Sequence, residues 1–265
     1  MFGLEKYLGL PVNASADKSQ VDQLLLFVHV LMVTLFIGWF CYFVFVLCKF
    51  NKKRNLKADH FGMRSHFSSY IEVGVALIEA GLLLGLAIPL WAKTVDSFPK
   101  GPDVTTIKVI GQQFLWNAWY PGTNGVFVTA DRRYVNPDNR FGFNTNDPNF
   151  ARNFTVSGDF YFPVGKPVVA YISSLDVIHS FCVRPMRVTQ DAIPGMSVPA
   201  WFKPNKEGTY QIQCAQLCGS GHYAMRGLIH VVSQDEYDKW LAKKTAAAAA
   251  AAAPAPPAAV SAPSK

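Results

Sequence analysis

Charged residues are scarce in this chain of 265 residues, and it contains no motif for covalent haem attachment. Only 16% of the residues are charged, whereas 50% are hydrophobic. That balance is too apolar for an ordinary soluble domain of this length. The sequence contains no Cys-x-x-Cys-His, so we expect no covalently bound c-type haem. The start of the chain also lacks a basic stretch followed by an apolar run, so we expect no cleaved signal peptide.

The apolar excess is concentrated in two segments near the N-terminus. Residues 24–48 contain no formal charge, and residues 70–91 carry only Glu72 and Glu79. Each segment is long enough to cross a bilayer as a helix. We therefore predict a transmembrane helical hairpin over 21–93, in which the first helix acts as an uncleaved signal anchor.

A basic loop joins the two predicted helices. Between positions 51 and 68 it holds five bases and one acid: Lys52, Lys53, Arg54, Lys57, Arg64 and Asp59. The positive-inside rule places so short and basic a loop in the cytoplasm. Residues 1–20 and everything after the second helix are then expected on the outer side of the membrane.

Residues 94–244 have the pattern of an all-β domain. Five segments rich in β-branched and aromatic residues are found at 105–120, 159–175, 198–204, 208–214 and 227–232. Prolines and glycines separate these segments, which predicts a Greek-key β-sandwich. Residues 245–265 are rich in alanine and proline and have no core-forming content, so we predict a disordered tail there.

The run QCAQLCGSGHYAMRG concentrates side chains that bind metals. Its candidate ligands, with one histidine from the upstream run DVIHSF, are Cys214, the Gln216 backbone carbonyl, Cys218, His222, Met225 and His179. Soft sulfur donors combined with imidazole favour copper in an electron-transfer role. One thiolate is enough for a mononuclear blue copper site, so the second cysteine suggests two copper ions bridged by two sulfurs.

Two other interpretations of the cysteine pair remain open. Two cysteines in an oxidising compartment often form a disulfide. A zinc site made of Cys214, Cys218, His222 and His179 is also chemically possible, although its ligand spacing would be unusual. Cys182 lies close to His179 in the sequence, and we interpret it as a buried hydrophobic residue rather than a ligand.

The candidate ligands and their surroundings resemble subunit II of haem-copper cytochrome c oxidase, of the bacterial type. The resemblance is carried by Cys-x3-Cys-x3-His-x2-Met, by Asp-Val-x-His-Ser at 176–180 and by Asp-Ala-Ile-Pro-Gly at 191–195. A pair of membrane helices before the copper domain also fits this family. The resemblance implies a two-helix hairpin followed by a cupredoxin-type sandwich over 94–244.

The same resemblance implies a binuclear copper centre, CuA, and a role for each ligand. Cys214 and Cys218 would bridge the two ions as thiolates. His179 and His222 would each bind one ion. Met225 and the Gln216 carbonyl would be the weak outer ligands that tune the reduction potential.

The function implied by the resemblance belongs to a larger complex. The chain would accept electrons from cytochrome c and pass them to haem in subunit I of a proton-translocating oxidase that reduces O₂. Subunit III, the lipid bilayer of a bacterial inner membrane and a cytochrome c donor are the other expected partners, and no nucleic acid is expected. The domain over 94–244 has 15 Lys and Arg and 12 Asp and Glu, so it offers no broad acidic face to steer a basic cytochrome c. A membrane-held donor is therefore favoured.

Three further residues carry implications of the resemblance. Phe114 and Trp116 lie in the segment through which electrons enter, and Phe114 stands where many members have tryptophan. Glu72 falls where the family has a glutamate at the mouth of a proton pathway, whereas Glu79 has no such counterpart. Gln216 replaces a frequent glutamate that reaches magnesium, so Mg²⁺ is optional here.

Functions of other kinds also remain open. A CuA-bearing subunit could serve a nitric oxide reductase, and nitrous oxide reductase also has a copper domain, beside a large catalytic domain. The chain could instead be a membrane-anchored copper-binding or delivery module. Delivery sites release their metal and favour a few exposed ligands, whereas this ligand set is complete.

Overall fold

The computed structural model describes residues 9–16, 18–54, 57, 60–61 and 65–253. The chain divides into a helical unit and a mainly β unit, which also takes in residues 13–16. Asp59 and Arg64 of the predicted basic loop lie outside the described residues.

The helical unit contains two apolar spans. Helix α1 is Ser19–Lys49, which at 1.5 Å per residue is about 46 Å long. Helices α2 (Phe67–Leu82) and α3 (Ile88–Asp96) are joined without a break into a second span of 30 residues. Both spans are long and apolar enough to cross a membrane.

A π-helical turn, Leu83–Ala87, joins α2 to α3. The Ile88 N–H donates to the Leu83 carbonyl, five residues earlier, instead of to the usual carbonyl four residues earlier. Pro89 follows at once and has no N–H to donate, so the regular ladder of hydrogen bonds is already interrupted here.

The helices expose large apolar side chains. Phe36, Trp39 and Leu77 are each more than 60% exposed, and neither span is buried within the described protein. Exposed apolar side chains are stable in the hydrocarbon core of a bilayer, whereas so large an apolar surface is unfavourable in water. The predicted hairpin is consistent with this surface, and its helix ends lie within three residues of the predicted 21–93.

The β unit is a sandwich of two five-stranded sheets. Its strands are β1 Thr105–Gln112, β2 Leu115–Tyr120, β3 Phe154–Ser157, β4 Asp159–Pro163, β5 Val168–Ser174, β6 His179–Val183, β7 Val188–Ala192, β8 Val198–Phe202, β9 Gly208–Cys214 and β10 Arg226–Val232. One sheet has the order β3-β2-β1-β5-β8, and the other has the order β4-β10-β9-β6-β7. The pairs β1–β5 and β10–β4 are parallel, and the other pairs are antiparallel. The predicted cupredoxin-type sandwich is confirmed.

The core of the sandwich lies between the two sheets. Trp116, Phe160, Phe181 and Phe202 are among its largest side chains, and each has almost no exposed surface. Strand β6 is buried along its whole length. The end of the domain that carries the predicted ligand His179 is therefore built on close-packed strands, which hold side chains in fixed positions.

A short N-terminal segment adds to the edge of the sandwich. The Ala14 N–H donates to the Pro185 carbonyl, and the Asn205 N–H donates to the Ala14 carbonyl. Ser15 forms a bridge with Pro204, and Ala14 and Ser15 are buried. Residues 13–16 therefore lie on the same side of any membrane as the sandwich.

Residues 121–153, between β2 and β3, fold around asparagine and aspartate side chains. The Asn153 side-chain oxygen accepts hydrogen bonds from Trp119 Nε1 and from the Val128 N–H. Asp147 accepts from the backbone N–H groups of Asn149 and Thr129, and these bonds lower the pKa of Asp147 to about 2. The segment is thus ordered by its own turns.

The predicted disordered tail is partly wrong. Helix α4 runs from Gln234 to Ala252, so the predicted boundary at 244 falls inside a helix. Ser233 caps its N-terminus by accepting from the Glu236 N–H, and Trp240 and Leu241 pack against the core. Alanine has the highest helix propensity, so a run of alanines continues a helix that packing has already started. The predicted tail from 254 onwards lies outside the described residues.

Candidate metal centre

Two neighbouring strands and one loop carry the predicted ligands. Strand β6 begins at His179, and β9 ends at Cys214. These strands pair antiparallel, with Phe181 opposite Cys214, so the two ligands meet at one end of the sheet. The loop after β9 returns through a short helical turn, His222–Ala224, and Met225 directly precedes β10.

All six predicted ligand positions come together at this end. The sulfurs of Cys214 and Cys218 are 3.9 Å apart. His179 Nδ1 lies 3.9 Å from the Cys214 sulfur, and His222 Nδ1 lies 3.6 Å from the Cys218 sulfur. The Met225 sulfur is 3.7 Å from that of Cys218, and the Gln216 carbonyl oxygen is 3.1 Å from that of Cys214.

This donor set fits a thiolate-bridged metal pair. All five cysteines lie in the described part of the chain and are free. A metal–thiolate bond is about 2.3 Å long, as known for zinc, so one metal ion can reach both sulfurs across 3.9 Å. Each sulfur also has an imidazole nitrogen within 4 Å, from His179 at Cys214 and from His222 at Cys218. Two thiolates, two imidazoles and a thioether are donors that copper prefers.

Three of the six predicted ligand residues are buried, whereas Cys214 and His222 are partly buried and Gln216 is exposed. His179 has no exposed surface, and Cys218 and Met225 are almost fully buried. Burial, reinforced by the hydrogen-bonded contact with Cys214, raises the pKa of the Cys218 thiol to about 11. A metal that binds Cys218 as a thiolate must therefore displace a proton.

A carboxylate holds the His179 ring in place. His179 Nε2 lies 2.8 Å from Asp176 Oδ1. Burial alone would raise the pKa of Asp176, but hydrogen bonds from the Gln113 and Val177 backbone N–H groups and from His179 outweigh it and lower the pKa. An ionised Asp176 accepts a hydrogen bond from the Nε2–H of His179, so the unprotonated Nδ1 faces the sulfur of Cys214.

Asp176 and Gln113 are functional candidates that the sequence reasoning missed. The motif at 176–180 includes Asp176 without giving it a role. Its position three residues before His179 is a spacing that could have indicated a contact between the two side chains. Gln113 donates through its side chain to the Cys218 carbonyl, over 2.6 Å. No local pattern points to that contact, because 105 positions separate the two residues.

Cys182 does not join the ligand cluster. Successive residues of a strand point to opposite faces, so Cys182 points away from the face shared by His179 and Phe181. Its sulfur accepts a hydrogen bond from the Thr189 hydroxyl, and the side chain is buried. This placement agrees with the interpretation as a hydrophobic residue.

The two aromatic residues predicted where electrons enter have different surroundings. Trp116 is fully buried, and its ring centroid lies 5.9 Å from that of His179. It therefore cannot contact an external donor directly. Phe114 is half-buried, and its ring packs against Gly219 and Gly221 of the ligand loop. Glu72 lies in the second turn of α2 and is exposed within this chain.

Comparisons with known proteins agree with this architecture. Residues 105–232 match the family model described as cytochrome c oxidase subunit II, periplasmic domain. An alternative cytochrome c oxidase subunit 2 from Bradyrhizobium diazoefficiens is 31% identical over 209 residues, which are 78% of this chain and 74% of that protein. A probable cytochrome c oxidase subunit 2 from Rickettsia bellii is 32% identical over 206 residues, 77% of this chain and 72% of that protein.

A solved structure is also similar to the β unit. It is the periplasmic domain of subunit II of cytochrome oxidase from Bradyrhizobium japonicum, with 30% identity and a TM-score of 0.42. The match covers 56% of this chain and 97% of that domain.

Proposed function

The chain belongs to the cytochrome c oxidase subunit II family and is thus a subunit of an oxidoreductase complex, and from this premise we propose that it receives electrons at a binuclear copper centre. The donor is cytochrome c, and the acceptor is haem in subunit I, where O₂ is reduced. The observation that carries the proposal is the pair of cysteine sulfurs 3.9 Å apart with an imidazole beside each.

Each ligand has a defined task in this proposal. Cys214 and Cys218 would hold both ions through their thiolates, and His179 and His222 would each hold one ion through an imidazole. Met225 and the Gln216 carbonyl would be the weaker donors that tune the reduction potential. When bound, the copper pair supplies a one-electron store whose charge is shared between two metals. Fast electron transfer requires ligands that move little on reduction, and the close-packed strands that carry His179 and Cys214 favour this.

The location of the site suits transfer between proteins. Leu217 and Tyr223, which neighbour ligand residues, are exposed by 77% and 92%. Both side chains are therefore accessible to a partner protein. We propose that subunits I and III and a membrane-held cytochrome c surround this part of the complex. Electron transfer to the purified complex should then keep its rate as salt is raised, and steep salt inhibition would contradict a membrane-held donor.

The proposed membrane topology is a two-pass arrangement in a bacterial inner membrane. The basic residues Lys52, Lys53 and Arg54 favour a cytoplasmic loop between the spans. The hydrogen bonds from residues 13–16 to the sandwich require an even number of crossings between them, which two spans supply. Both termini then lie on the periplasmic side. Glu72 as the mouth of a proton pathway stays a prediction, and so does an optional Mg²⁺ near Gln216.

Metal analysis and paramagnetic resonance of the purified full-length protein test the proposal. We expect two copper ions per chain and an unpaired spin shared between them in the oxidised state. A disulfide between Cys214 and Cys218, bound zinc, or a single Cu(I) without a mixed-valence signal would refute it. The last result would favour a copper-delivery module instead.

A further inference from the structure

The turn between β1 and β2 contacts both segments that carry the ligands. The Gln113 backbone N–H donates to Asp176 Oδ2 over 2.7 Å, and Asp176 holds His179. The Gln113 side-chain amide donates to the Cys218 carbonyl over 2.6 Å. One residue therefore bridges two segments that are otherwise separate in the sequence.

The next residue of the turn, Phe114, packs against two glycines, and a larger residue at either glycine would collide with the turn. A Cβ added at Gly221 would clash with the ring of Phe114. A Cβ added at Gly219 would lie 2.8 Å from Gln113 Nε2, and the φ of Gly219 is +133°, which other residues rarely adopt. The ligand loop is thus pressed directly against the turn.

The end of β1 also approaches the histidine ligand closely. A Cβ added at Gly111 would lie 3.0 Å from His179 Cδ2 and 3.1 Å from Trp116 Cζ3. The His179 ring therefore lies directly over the β1 backbone, only two residues before the turn.

These contacts solve a positioning problem. His179 begins strand β6, whereas Cys218 lies in the loop after β9. A loop without long-range contacts samples many positions, and fixing it to bind a metal costs conformational entropy. Partner groups beyond the ligands usually orient metal ligands, and their loss weakens binding or alters the metal's properties.

We propose that the Gln113–Phe114 turn is a positioning element that fixes the Cys218 loop relative to His179 before copper binds. Gln113 couples the His179 segment to Cys218, and Phe114 supports the loop at Gly219 and Gly221. Neither residue binds the metal itself. This inference rests on the proposed function, because it concerns the ligands of that centre.

The test replaces Gln113 in the full-length protein. Gln113→Leu removes the side-chain donor and keeps the backbone donor to Asp176. Gln113→Glu keeps the size of the side chain but replaces its amide donor with a carboxylate. Gln190→Leu is the matched control, since the Gln190 side chain bonds only weakly to the neighbouring Asp191 carbonyl, at 3.3 Å.

Two readouts separate positioning from general loosening. In the metal-free protein, iodoacetamide labelling followed by peptide mass spectrometry compares Cys218 with Cys182, a buried cysteine outside the cluster. We expect Cys218 labelling to rise about tenfold in both Gln113 variants while Cys182 stays constant, because a hydrogen bond that keeps the loop closed is lost. In the copper-loaded protein, the copper hyperfine pattern should change in both Gln113 variants and stay unchanged in Gln190→Leu.

Unchanged labelling of Cys218 in both Gln113 variants would overturn the inference. An equal rise at Cys218 and Cys182 would also overturn it, since it would show general loosening of the domain. The labelling ratio does not depend on copper. A wild-type protein that binds no copper pair would therefore refute the proposed function while the role of Gln113 in placing Cys218 was still measured.

Discussion

The sandwich contains two histidine–aspartate pairs with nearly the same geometry and different surroundings. His179 Nε2 lies 2.8 Å from Asp176 Oδ1, and His230 Nε2 lies 2.8 Å from Asp159 Oδ1. His179 is fully buried, whereas the side chain of His230 is 23% exposed. The difference lies at the other ring nitrogen, because Nδ1 of His179 faces the Cys214 sulfur and Nδ1 of His230 lies 3.2 Å from the Thr209 hydroxyl.

The comparison shows that an oriented imidazole is not by itself a metal ligand. In both pairs a carboxylate fixes the ring through Nε2, but Nδ1 of His230 contacts the Thr209 hydroxyl. Only His179 is fully buried and lies beside two cysteine sulfurs. Sulfur donors next to an imidazole are what favours copper. His230 instead stacks on Tyr161, which stacks on Trp240 of α4, so that pair belongs to the packing of the domain edge.

The largest effect is expected from removing a sulfur. Cys218→Ser should abolish the binuclear centre, because a serine hydroxyl at neutral pH does not replace a bridging thiolate. The measurement is copper content with paramagnetic resonance, and the shared-spin signal should be lost completely. Cys182→Ser is the control and should keep two copper ions. A shared-spin signal that survives in Cys218→Ser would contradict the ligand assignment.

Exchanging the two histidines for alanine tests the comparison itself. His179→Ala should weaken copper binding more than about 100-fold, since a direct ligand matters more than its supporting groups. His230→Ala should leave copper binding unchanged and slightly lower the unfolding temperature through lost stacking. Titration of the metal-free proteins with copper measures both. If both variants lost copper affinity equally, burial and the neighbouring sulfurs would not be what makes His179, and not His230, a copper ligand.

The two carboxylates give a smaller effect of the same kind. Asp176→Asn should lower copper affinity by about 10- to 100-fold, because the amide orients the His179 ring less well. Asp159→Asn should have no effect on copper. Competition with a chelator of known affinity measures the difference. If Asp176→Asn binds copper as tightly as the wild type, the ring of His179 is held by packing alone.

The smallest effect is expected at the thioether. Met225→Leu keeps the volume and burial of the side chain, so two copper ions should remain bound. Loss of a weak donor to the oxidised metal should raise the reduction potential by on the order of 60 mV, a tenfold change in equilibrium constant for one electron. Redox titration followed by optical spectroscopy measures the shift. An unchanged potential would show that Met225 only fills space.

The sequence predicts those elements whose signal is local. Unbroken apolar runs are sufficient to predict the two apolar helices. The strands that contain Ile107, Ile172 and Ile229 are predicted from their β-branched residues. Strands β3, β6 and β7 were not separately predicted, because they are short and carry polar residues such as Thr155 and Gln190. Composition alone gave the wrong prediction for the alanine run. Its alanines continue helix α4, which begins at Gln234 and packs against the core through Trp240.

The candidate site divides in the same way. Its ligand types and their spacing are readable because four of them lie within one short loop, and the motif containing His179 is equally compact. The supporting contacts are not readable. Gln113 reaches Asp176 across 63 positions and Cys218 across 105, and such pairings depend on which strands become neighbours.

The sequence alone determined the two apolar helices, the β character of the domain and the soft donor set, because each depends on residue types at short spacing. Only the tertiary structure decided which histidine–aspartate pair meets the sulfurs, that Trp116 is buried, and that the Gln113–Phe114 turn contacts both Asp176 and Cys218. The physical reason is that burial and the partner of a given nitrogen are set by strand pairing between distant residues. A sequence pattern fixes what a side chain can bind, and the packed sheet fixes what it meets.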